Sequence, residues 1–464
     1  MKAAFIASSI IGAASLVAAT PAKIEARATS TSSGSLPTVT VKGNAFWAGD
    51  DRFYIRGVDY QPGGSSEAED PLADTTTCKR DITYFKQLGI NTIRVYTVDN
   101  TASHDECMSA LADAGIYVAL DVNTPKYSIN RASPAASYNA VYLQSLFATV
   151  DAFANYTNTL LFFSGNEVIN DDNTTNCAPY VKAVTRDLKQ YRDSRGYRAI
   201  PIGYSAADVD SNRYEMATYM NCGTDDQRSD FFAFNDYSWC DPSSYQGSGW
   251  STKVETYSNY SIPLFLSEYG CITNTRTFGA VAALYDQDEM TPVYSGGLVY
   301  EYSEEGSGYG LVTISGSTVT KKDDFSALQS QLAANPAPTG DGGYKSDGTA
   351  STCPEAGDHW DVTDFSGEEL PAIPSGAVKY MSQGAGTGPG LTGDGSQNAG
   401  GQSSGTATPG SGSATATATT SSTASSTQSG AAGSIKLTKG EFSLAPMIFT
   451  GVVAFSTIFG AALL

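Results

Sequence analysis

Two glutamates stand at the downstream ends of apolar runs, and they carry the first functional prediction. The run LLFFSGNE ends at Glu167, and the run PLFLSEYG carries Glu268. Each run is almost continuously hydrophobic, which is typical of a strand buried on both faces in a parallel sheet. Two carboxyl groups that face one cavity can cleave a glycosidic bond, because one protonates the leaving oxygen while the other attacks the anomeric carbon or activates water. The pair therefore predicts a site that acts on glycosides.

Residues beside the two glutamates fit this chemistry. Asn166 directly precedes Glu167, so its amide is placed to hydrogen-bond the 2-hydroxyl of a sugar. A tyrosine near Glu268 can donate to that carboxylate and keep it ionised, and Tyr237 or Tyr300 could serve. The alternative is that both glutamates are ordinary surface carboxylates where loops begin. Two apolar strands that each end in a glutamate are, however, an unusual coincidence.

The rest of the residue inventory argues against other kinds of site. Only two His occur in the chain, so a His-based metal site or a Ser-His-Asp triad is nearly excluded. The Gly-rich stretches follow no strand and open no helix, which argues against a phosphate-cradling loop. The formal net charge of −20 argues against nucleic acid or anionic lipid as a partner. We therefore expect no metal and no cofactor.

Strand-like runs alternate with helix-like segments between residues 36 and 335. The strand-like runs are 53–60, 92–96, 117–122, 160–167, 199–205, 231–237, 263–270 and 296–303. Helical spacing of apolar residues marks 81–88, 138–154, 178–195 and 277–286. This alternation predicts an α/β fold, a (β/α)8 TIM barrel rather than an open doubly wound sheet. Because barrel enzymes place their chemistry at the carboxyl ends of the strands, Glu167 and Glu268 would share one rim.

The composition changes after residue 335. Residues 336–380 are rich in Pro, Gly and Asp and carry Cys353 and Trp360. We expect this part to be a small appendage folded back on the barrel and tied by a disulfide. Residues 381–430 are Gly, Ser, Thr and Ala with almost no apolar bulk. Such a segment cannot bury a core, which predicts a disordered, O-glycosylated stalk.

Both ends of the chain carry export signals. Residues 1–19 contain one Lys, an apolar stretch and small residues, the pattern of a secretory signal peptide. Residues 444–464 are apolar and uncharged, and they follow a polar spacer and small residues around Gly430. This order predicts a glycosylphosphatidylinositol (GPI) anchor at Gly430, with residues 431–464 removed on maturation. A single transmembrane helix is the alternative, but the Lys or Arg that normally follow such a helix do not follow here.

Export also fits the cysteines and the glycosylation sequons. Seven Cys in an exported chain imply disulfides. Sequons occur at Asn155, Asn173 and Asn259. We therefore expect a glycoprotein tethered to the extracellular face of the plasma membrane. Because no heptad pattern or other assembly signal is present, we expect a monomer.

At these residues the chain closely resembles family 72 of the glycoside hydrolases, the fungal GPI-anchored β-1,3-glucanosyltransferases of the cell wall. The segments that carry the resemblance are RGVDYQPGG (56–64), NTIRVYTVD (91–99), LDVNTPKYSINR (120–131), FFSGNEVIN (162–170), GYSAADV (203–209), NDYSWC (235–240), FLSEYGC (265–271) and GGLVYEYSEEGSGYGLV (296–312). They cover nearly the whole predicted barrel. The resemblance implies an enzyme that cleaves an internal β-1,3-glucan linkage and transfers the new reducing end to the non-reducing end of another chain.

The resemblance also implies roles for individual residues. Glu167 is expected to be the acid/base and Glu268 the nucleophile of a retaining double displacement. Contacts with the donor and acceptor glucan chains are expected from Tyr96, Asn123, Ser128, Arg131, Asn166, Asp208, Arg213 and Tyr300. Supporting positions are expected at Gln61, Asp121 and Tyr237.

The same resemblance implies the disulfides Cys78–Cys107, Cys222–Cys353 and Cys240–Cys271, which leaves Cys177 unpaired. One Cys after residue 271 cannot build the Cys-rich carbohydrate-binding module of some members, so we expect the short type. Two other functions stay open. One is hydrolysis of β-1,3-glucan by the same pair, because the residues do not show how an acceptor outcompetes water. The other is a wall protein that binds glucan without turnover, against which the two intact glutamates argue.

Overall fold

The first described residues form a small antiparallel sheet that covers the amino-terminal end of a barrel. This computed structural model describes residues 36–365 and 367–417. The sheet consists of β1 (Val39–Lys42), β2 (Ala45–Ala48) and β3 (Asp51–Phe53). Phe46 of β2 packs against Phe231 and Phe265, with ring centroids 6.2 and 5.9 Å apart, so apolar contacts hold the sheet on the barrel. The predicted signal peptide, the predicted GPI site and residues 431–464 lie outside the described residues.

Eight parallel strands follow and close into the barrel. They are β4 (Ile55–Asp59), β5 (Thr92–Val95), β6 (Tyr117–Asp121), β7 (Thr159–Asn166), β8 (Ile202–Ala207), β9 (Phe231–Asn235), β10 (Leu264–Tyr269) and β11 (Tyr294–Val299). Successive strands pair with each other, and β11 closes the ring on β4. All eight predicted runs overlap these strands, and the predicted (β/α)8 barrel is confirmed.

Helices connect the strands around the barrel, and two more follow its last strand. They are α1 (Thr75–Leu88), α2 (Asp105–Asp113), α3 (Pro134–Ser137), α4 (Ala140–Phe153), α5 (Ala178–Ser194), α6 (Arg213–Met220), α7 (Trp250–Thr256), α8 (Ala280–Leu284), α9 (Asp323–Ala334) and α10 (Val378–Gln383), with 3-10 helices at Asp172–Cys177 and Ser375–Ala377. The start of α1 lies before the predicted residue 81, because Asp74 caps it by accepting from the N–H groups of Thr76 and Thr77. Across the described residues, no helix combines the length and the apolar character needed to cross a bilayer.

The residues after the barrel strands pack on its outer surface. β12 (Val312–Ser315) and β13 (Thr318–Lys321) form a hairpin, and β14 (Leu370–Pro371) pairs with β15 (Thr406–Ala407). A disulfide joins Cys222 to Cys353. Trp360 is buried against Tyr219, with ring centroids 5.4 Å apart. The disulfide and the buried Trp360 therefore hold this part of the chain on the barrel.

The segment expected to be a stalk stays on the barrel over much of its length. The N–H of Ser396 donates to the carbonyl of Lys126 (3.0 Å), and Ala414 is buried. The prediction of a disordered stalk is thus wrong for residues 381–417. The prediction rested only on the lack of apolar side chains. Small residues, however, let the backbone itself approach the barrel and form hydrogen bonds. Residues 418–430 lie outside the described part of the chain.

Candidate active site

Glu268 lies near the carboxyl end of β10 and is surrounded by hydrogen-bond donors. Tyr96 Oη donates to its Oε1 (2.8 Å), Tyr237 Oη donates to its Oε2 (2.6 Å), and Arg94 Nη1 lies 3.3 Å from Oε1. Only 8% of the residue is exposed. These donors favour the ionised carboxylate, which is the form that can attack an electrophilic carbon. Of the two tyrosines considered from the sequence, Tyr237 is a donor to this carboxylate and Tyr300 is not.

The protonation of Glu268 depends on its neighbours. Burial is the largest effect and raises the pKa of Glu268 to about 7. Arg94 lowers this pKa, whereas the negative charge of Glu167 raises it. The hydrogen bonds from Tyr237 and Tyr96 also lower it. Glu268 therefore ionises more readily when no negative charge stands at Glu167.

Glu167 follows β7 directly and takes an unusual backbone conformation. Its φ of +48° lies in the left-handed region, which residues other than glycine rarely adopt and which is enriched at functional sites. Its N–H donates to the carbonyl of Ser205 (2.9 Å), and Asn235 Nδ2 donates to its Oε1 (2.8 Å). Arg131 donates to the backbone carbonyls of Val168 (2.8 Å) and Glu167. Arg131, expected to contact sugar, thus holds the backbone of Glu167.

Arg94 in β5 connects the polar groups of the site, and sequence reasoning missed it. It is fully buried. Its Nε donates to Asp121 (2.9 Å), its Nη1 to Glu268 (3.3 Å) and its Nη2 to Asn166 (3.0 Å). One guanidinium therefore joins side chains of β6, β7 and β10 to β5. The available signal was an arginine within the apolar run TIRV, because a buried charge in a strand needs partners on neighbouring strands.

Asn235 at the end of β9 orients Glu167, and it was missed as well. Its backbone is in register with Glu268 on the neighbouring strand, and its Nδ2 donates to Glu167 (2.8 Å). The hydroxyl of Ser267 donates to its Oδ1 (2.8 Å), and the hydroxyl oxygen of Ser205 lies 3.1 Å from the same atom. These contacts fix the orientation of the amide, so its nitrogen faces Glu167. The sequence signal was a single polar residue that ends the apolar run FFAFN.

The amide oxygen of Asn166 has three hydrogen-bond donors within the site. It accepts from Arg94 Nη2 (3.0 Å), Ser205 Oγ (2.7 Å) and Asn235 Nδ2 (3.1 Å). Its amide nitrogen has no acceptor within residues 36–365 and 367–417. That nitrogen is the group through which Asn166 can donate to a bound ligand.

Three further residues expected from the resemblance lie on the rim and have partners of their own. Gln61 Oε1 accepts from the N–H of Tyr96 (3.2 Å), which holds the tyrosine that donates to the nucleophile candidate. Asn123 donates to a backbone carbonyl of β7 (2.9 Å). The hydroxyl of Ser128 accepts from Gln397 (3.1 Å), a residue of the segment predicted to be a stalk.

Asp208 and Arg213 come together after β8 but not against either glutamate. Arg213 Nε lies 2.9 Å from Asp208 Oδ1. Lys253 Nζ lies 2.5 Å from Asp208 Oδ2 and 2.6 Å from Asp236 Oδ2. Because these charged groups pair with each other, they hold the loop after β8 in place.

A group of tyrosines lines one side of the site. Tyr300 Oη lies 3.2 Å from Ser65 Oγ. The ring centroid of Tyr300 is 6.5 Å from those of Tyr96 and Tyr237 and 5.3 Å from that of Tyr309. Tyr309 was not identified from the sequence, because it lies in an irregular segment after β11. Together the rings present apolar faces beside the carboxylates.

The cysteines pair as the resemblance implies. The disulfides are Cys78–Cys107, Cys222–Cys353 and Cys240–Cys271, and Cys177 is a buried free thiol. The sequon residues are exposed at Asn155, Asn173 and Asn259. In the part of the chain that the structure describes, no group of three or more His, Cys, Asp and Glu is arranged to hold a metal ion.

Comparisons with known proteins group this chain with glucan-modifying enzymes. A family model described as glucanosyltransferase matches residues 28–335. The 1,3-beta-glucanosyltransferase gel1 of Aspergillus fumigatus is 62% identical over 394 residues, which cover 85% of each chain. The 1,3-beta-glucanosyltransferase GAS5 of Saccharomyces cerevisiae is 53% identical over 368 residues, covering 78% of this chain and 75% of the relative. The solved structure of Saccharomyces cerevisiae Gas2p in complex with laminaritetraose and laminaripentaose is 37% identical, covers 70% of this chain and 73% of that chain, and gives a TM-score of 0.65. The chain therefore belongs to the glucanosyltransferase family, family 72 of the glycoside hydrolases.

Proposed function

We propose that this chain is a β-1,3-glucanosyltransferase, a retaining transglycosylase that elongates one β-1,3-glucan at the expense of another. The observation that carries the proposal is the contrast between two carboxyl groups at one end of the barrel. Glu268 is buried among three donors, whereas Glu167 is half-buried and its carboxyl accepts from one amide. The relatives support the substrate class, since gel1 and GAS5 are named 1,3-beta-glucanosyltransferases and Gas2p holds laminari-oligosaccharides.

In the first step Glu268 acts as the nucleophile. Its carboxylate forms a bond to the anomeric carbon at an internal linkage, and the bond from that carbon to the glycosidic oxygen breaks. Glu167 donates its proton to this oxygen, so the reducing-end fragment leaves as a neutral alcohol. A glucanosyl ester remains on Glu268. The hydrogen bonds from Tyr96 and Tyr237 stabilise the ionised form of Glu268 that makes the attack.

In the second step Glu167 acts as the base. It takes the proton from the 3-hydroxyl at the non-reducing end of an acceptor glucan, and that oxygen replaces Glu268 on the anomeric carbon. Two successive inversions leave a β-linkage in a longer chain. Asn235 orients Glu167 for both proton transfers through its 2.8 Å hydrogen bond, and the free amide nitrogen of Asn166 is available to the sugar 2-hydroxyl.

The predicted setting of this reaction is the extracellular face of the plasma membrane, next to the cell wall. Three disulfides and exposed sequon residues support an exported protein. The GPI signal around Gly430 supports attachment to the outer leaflet. Phosphatidylinositol-specific phospholipase C is expected to release the protein from membranes of expressing cells. Protein that stays with the membrane after this treatment would favour a transmembrane helix instead.

A product analysis tests the proposed activity. The chain ending at Thr417, the end of the compact unit, is incubated with a reduced β-1,3-gluco-oligosaccharide, and the products are separated by chromatography. We expect products both shorter and longer than the input, and none from the variant Glu268→Gln. Shorter products alone would make the protein a β-1,3-glucan hydrolase. No products from a folded chain would favour a wall protein that binds glucan without turnover.

A further inference from the structure

Residues 384–402, here called the strap, lie against the loop that follows β6. This β6 loop comprises residues 122–133. The strap begins beside α5, where the N–H of Ala385 donates to Tyr191 Oη (2.8 Å), and it ends at Gln402, which forms a β-bridge with Asn139. The strap lies outside the part of the chain matched by the family model, which ends at residue 335.

Hydrogen bonds join each residue from 126 to 128 to the strap. They connect Lys126 to Gly393 and Ser396, Tyr127 to Gly395, and Ser128 to Gln397. Gln397 makes two of these bonds, because its Nε2 donates to both the carbonyl (2.8 Å) and the hydroxyl (3.1 Å) of Ser128. The tip of the β6 loop is therefore held by a segment far away in the sequence.

The fit between strap and barrel leaves no room for side chains at two glycines. A Cβ on Gly393 would lie 2.1 Å from Tyr127 Oη, and a Cβ on Gly388 would lie 2.1 Å from Asn100 Oδ1. Ser396 between the contacting residues is fully buried. Backbone packing this close requires glycine, so these small residues specify one arrangement rather than an unstructured tether.

The β6 loop reaches the catalytic region from both of its ends. Near its start, Asn123 donates to the carbonyl of Ser164 in β7 (2.9 Å). Near its end, Arg131 donates to the backbone carbonyls of Val168 (2.8 Å) and Glu167. Between these points Lys126, Tyr127 and Ser128 are hydrogen-bonded to the strap. The strap, the β6 loop and the backbone of Glu167 thus form one connected structure.

We propose that Gln397 is a positioning residue of the glucan site, which holds the β6 loop in the conformation that binds glucan. This inference rests on the proposed function. A loop that is already ordered loses less conformational entropy when a ligand binds. Gln397 contacts neither glutamate, so its loss should weaken glucan binding and leave the chemical step nearly unchanged.

Two variants of the full chain test this inference, with one matched control. Gln397→Ala removes the bonds to Ser128, and Gly393→Ala forces the strap away from Tyr127. Asn398→Ala is the control, because this neighbouring side chain is exposed and takes no part in the contacts. With reduced β-1,3-gluco-oligosaccharides we expect KM to rise about fivefold or more in both strap variants, with kcat within about twofold of wild type. The control is expected to match wild type, and thermal unfolding verifies the fold of every variant.

An unchanged or lower KM in folded Gln397→Ala would overturn the inference, and so would a fall in kcat with KM unchanged. If Gly393→Ala does not fold, Gln397→Ala alone decides. If the wild-type chain transfers no glucan, the proposed function fails, and the same variants are then titrated with laminaripentaose by calorimetry. Weaker binding by Gln397→Ala than by Asn398→Ala would still support the positioning role. Equal affinities, or no binding by any variant, would overturn it.

Discussion

The catalytic role of each glutamate in this site depends on the hydrogen-bond donors around it. Two tyrosine hydroxyls and a guanidinium surround Glu268, whereas the carboxyl of Glu167 meets one amide. Identical carboxyl groups can therefore take different roles, because donors hold both oxygens of Glu268 in place whereas one amide orients Glu167. The apolar runs in the sequence indicated both glutamates. They could not indicate this contrast, because the donors come from other strands of the barrel.

Replacing each glutamate by alanine should separate the two roles. With an aryl β-laminarioside as donor, we expect transfer to fall about 10³-fold or more in either variant. Azide should restore turnover, because it is small enough to enter the space left by the side chain. Glu167→Ala should yield a β-azide by trapping the ester on Glu268, whereas Glu268→Ala should yield an α-azide by direct displacement. Proton NMR identifies the anomer, and the same anomer from both variants would contradict the assignment.

The surroundings of Glu268 also predict opposite pH shifts in two conservative variants. The attack needs the ionised form, so activity is lost as pH falls through the pKa of Glu268, which burial raises to about 7. Tyr237→Phe removes a hydrogen bond that lowers this pKa, so the acid limb of kcat/KM should move to higher pH. Glu167→Gln removes a negative charge that raises it, so the limb should move to lower pH.

Initial rates on the aryl β-laminarioside, measured from about pH 4 to about pH 9, check these two shifts. On the acid limb each pH unit of displacement corresponds to about a tenfold change in rate. The aryl leaving group makes the first step independent of a proton donor, so Glu167→Gln remains measurable. If the acid limbs of Tyr237→Phe and Glu167→Gln moved in the same direction, the titrating group would not be Glu268.

At the scale of the elements, the sequence predicts those strands whose apolar pattern is set by burial alone. Strands buried on both faces are continuously apolar, so the runs 160–167 and 263–270 could be assigned as β7 and β10. The barrel topology then placed both glutamates at one rim. Arg94 and Asn235 could not be assigned, because a polar residue in a strand acquires its role from the groups opposite it. That pairing depends on strand register, which one sequence does not contain.

Arg94→Met tests whether this one residue of β5 holds the neighbouring strands of the site together. Removal of the guanidinium leaves the buried carboxylate of Asp121 without its partner, which should lower the free energy of unfolding by about 3–5 kcal/mol. The double variant Arg94→Met, Asp121→Asn should regain part of that stability, because the buried carboxylate at position 121 is replaced by a neutral amide. It should not regain activity, because Glu268 still lacks its cation. Chemical denaturation and the transfer assay measure both effects, and a double variant no more stable than the single one would contradict the ion-pair explanation.

At the scale of the whole molecule, the compact unit is larger than the region that carries the family signature. The family model ends at residue 335, whereas the chain remains one unit as far as Thr417. The composition of this segment did not predict that the strap packs on the barrel. The contacts of the strap are backbone hydrogen bonds and close approaches at glycine, not contacts of apolar side chains. A segment of Gly, Ser and Ala can therefore be part of an enzyme when a folded surface supplies the partners.

Two soluble chains that end at different residues should consequently behave differently. A chain ending at Gln383 lacks the strap and β15, whereas a chain ending at Thr417 keeps both. We expect the shorter chain to unfold a few degrees lower, because β14 loses its partner strand and the β6 loop loses its hydrogen bonds. Its KM for β-1,3-gluco-oligosaccharides should rise about fivefold with kcat nearly unchanged, since both glutamates remain in place. Differential scanning calorimetry and the transfer assay compare the two chains with the full-length protein, which the longer chain should match. Equal unfolding temperatures and equal KM values would mean that the barrel and its appendage are the complete catalytic unit, and that the strap contacts contribute to neither stability nor glucan binding.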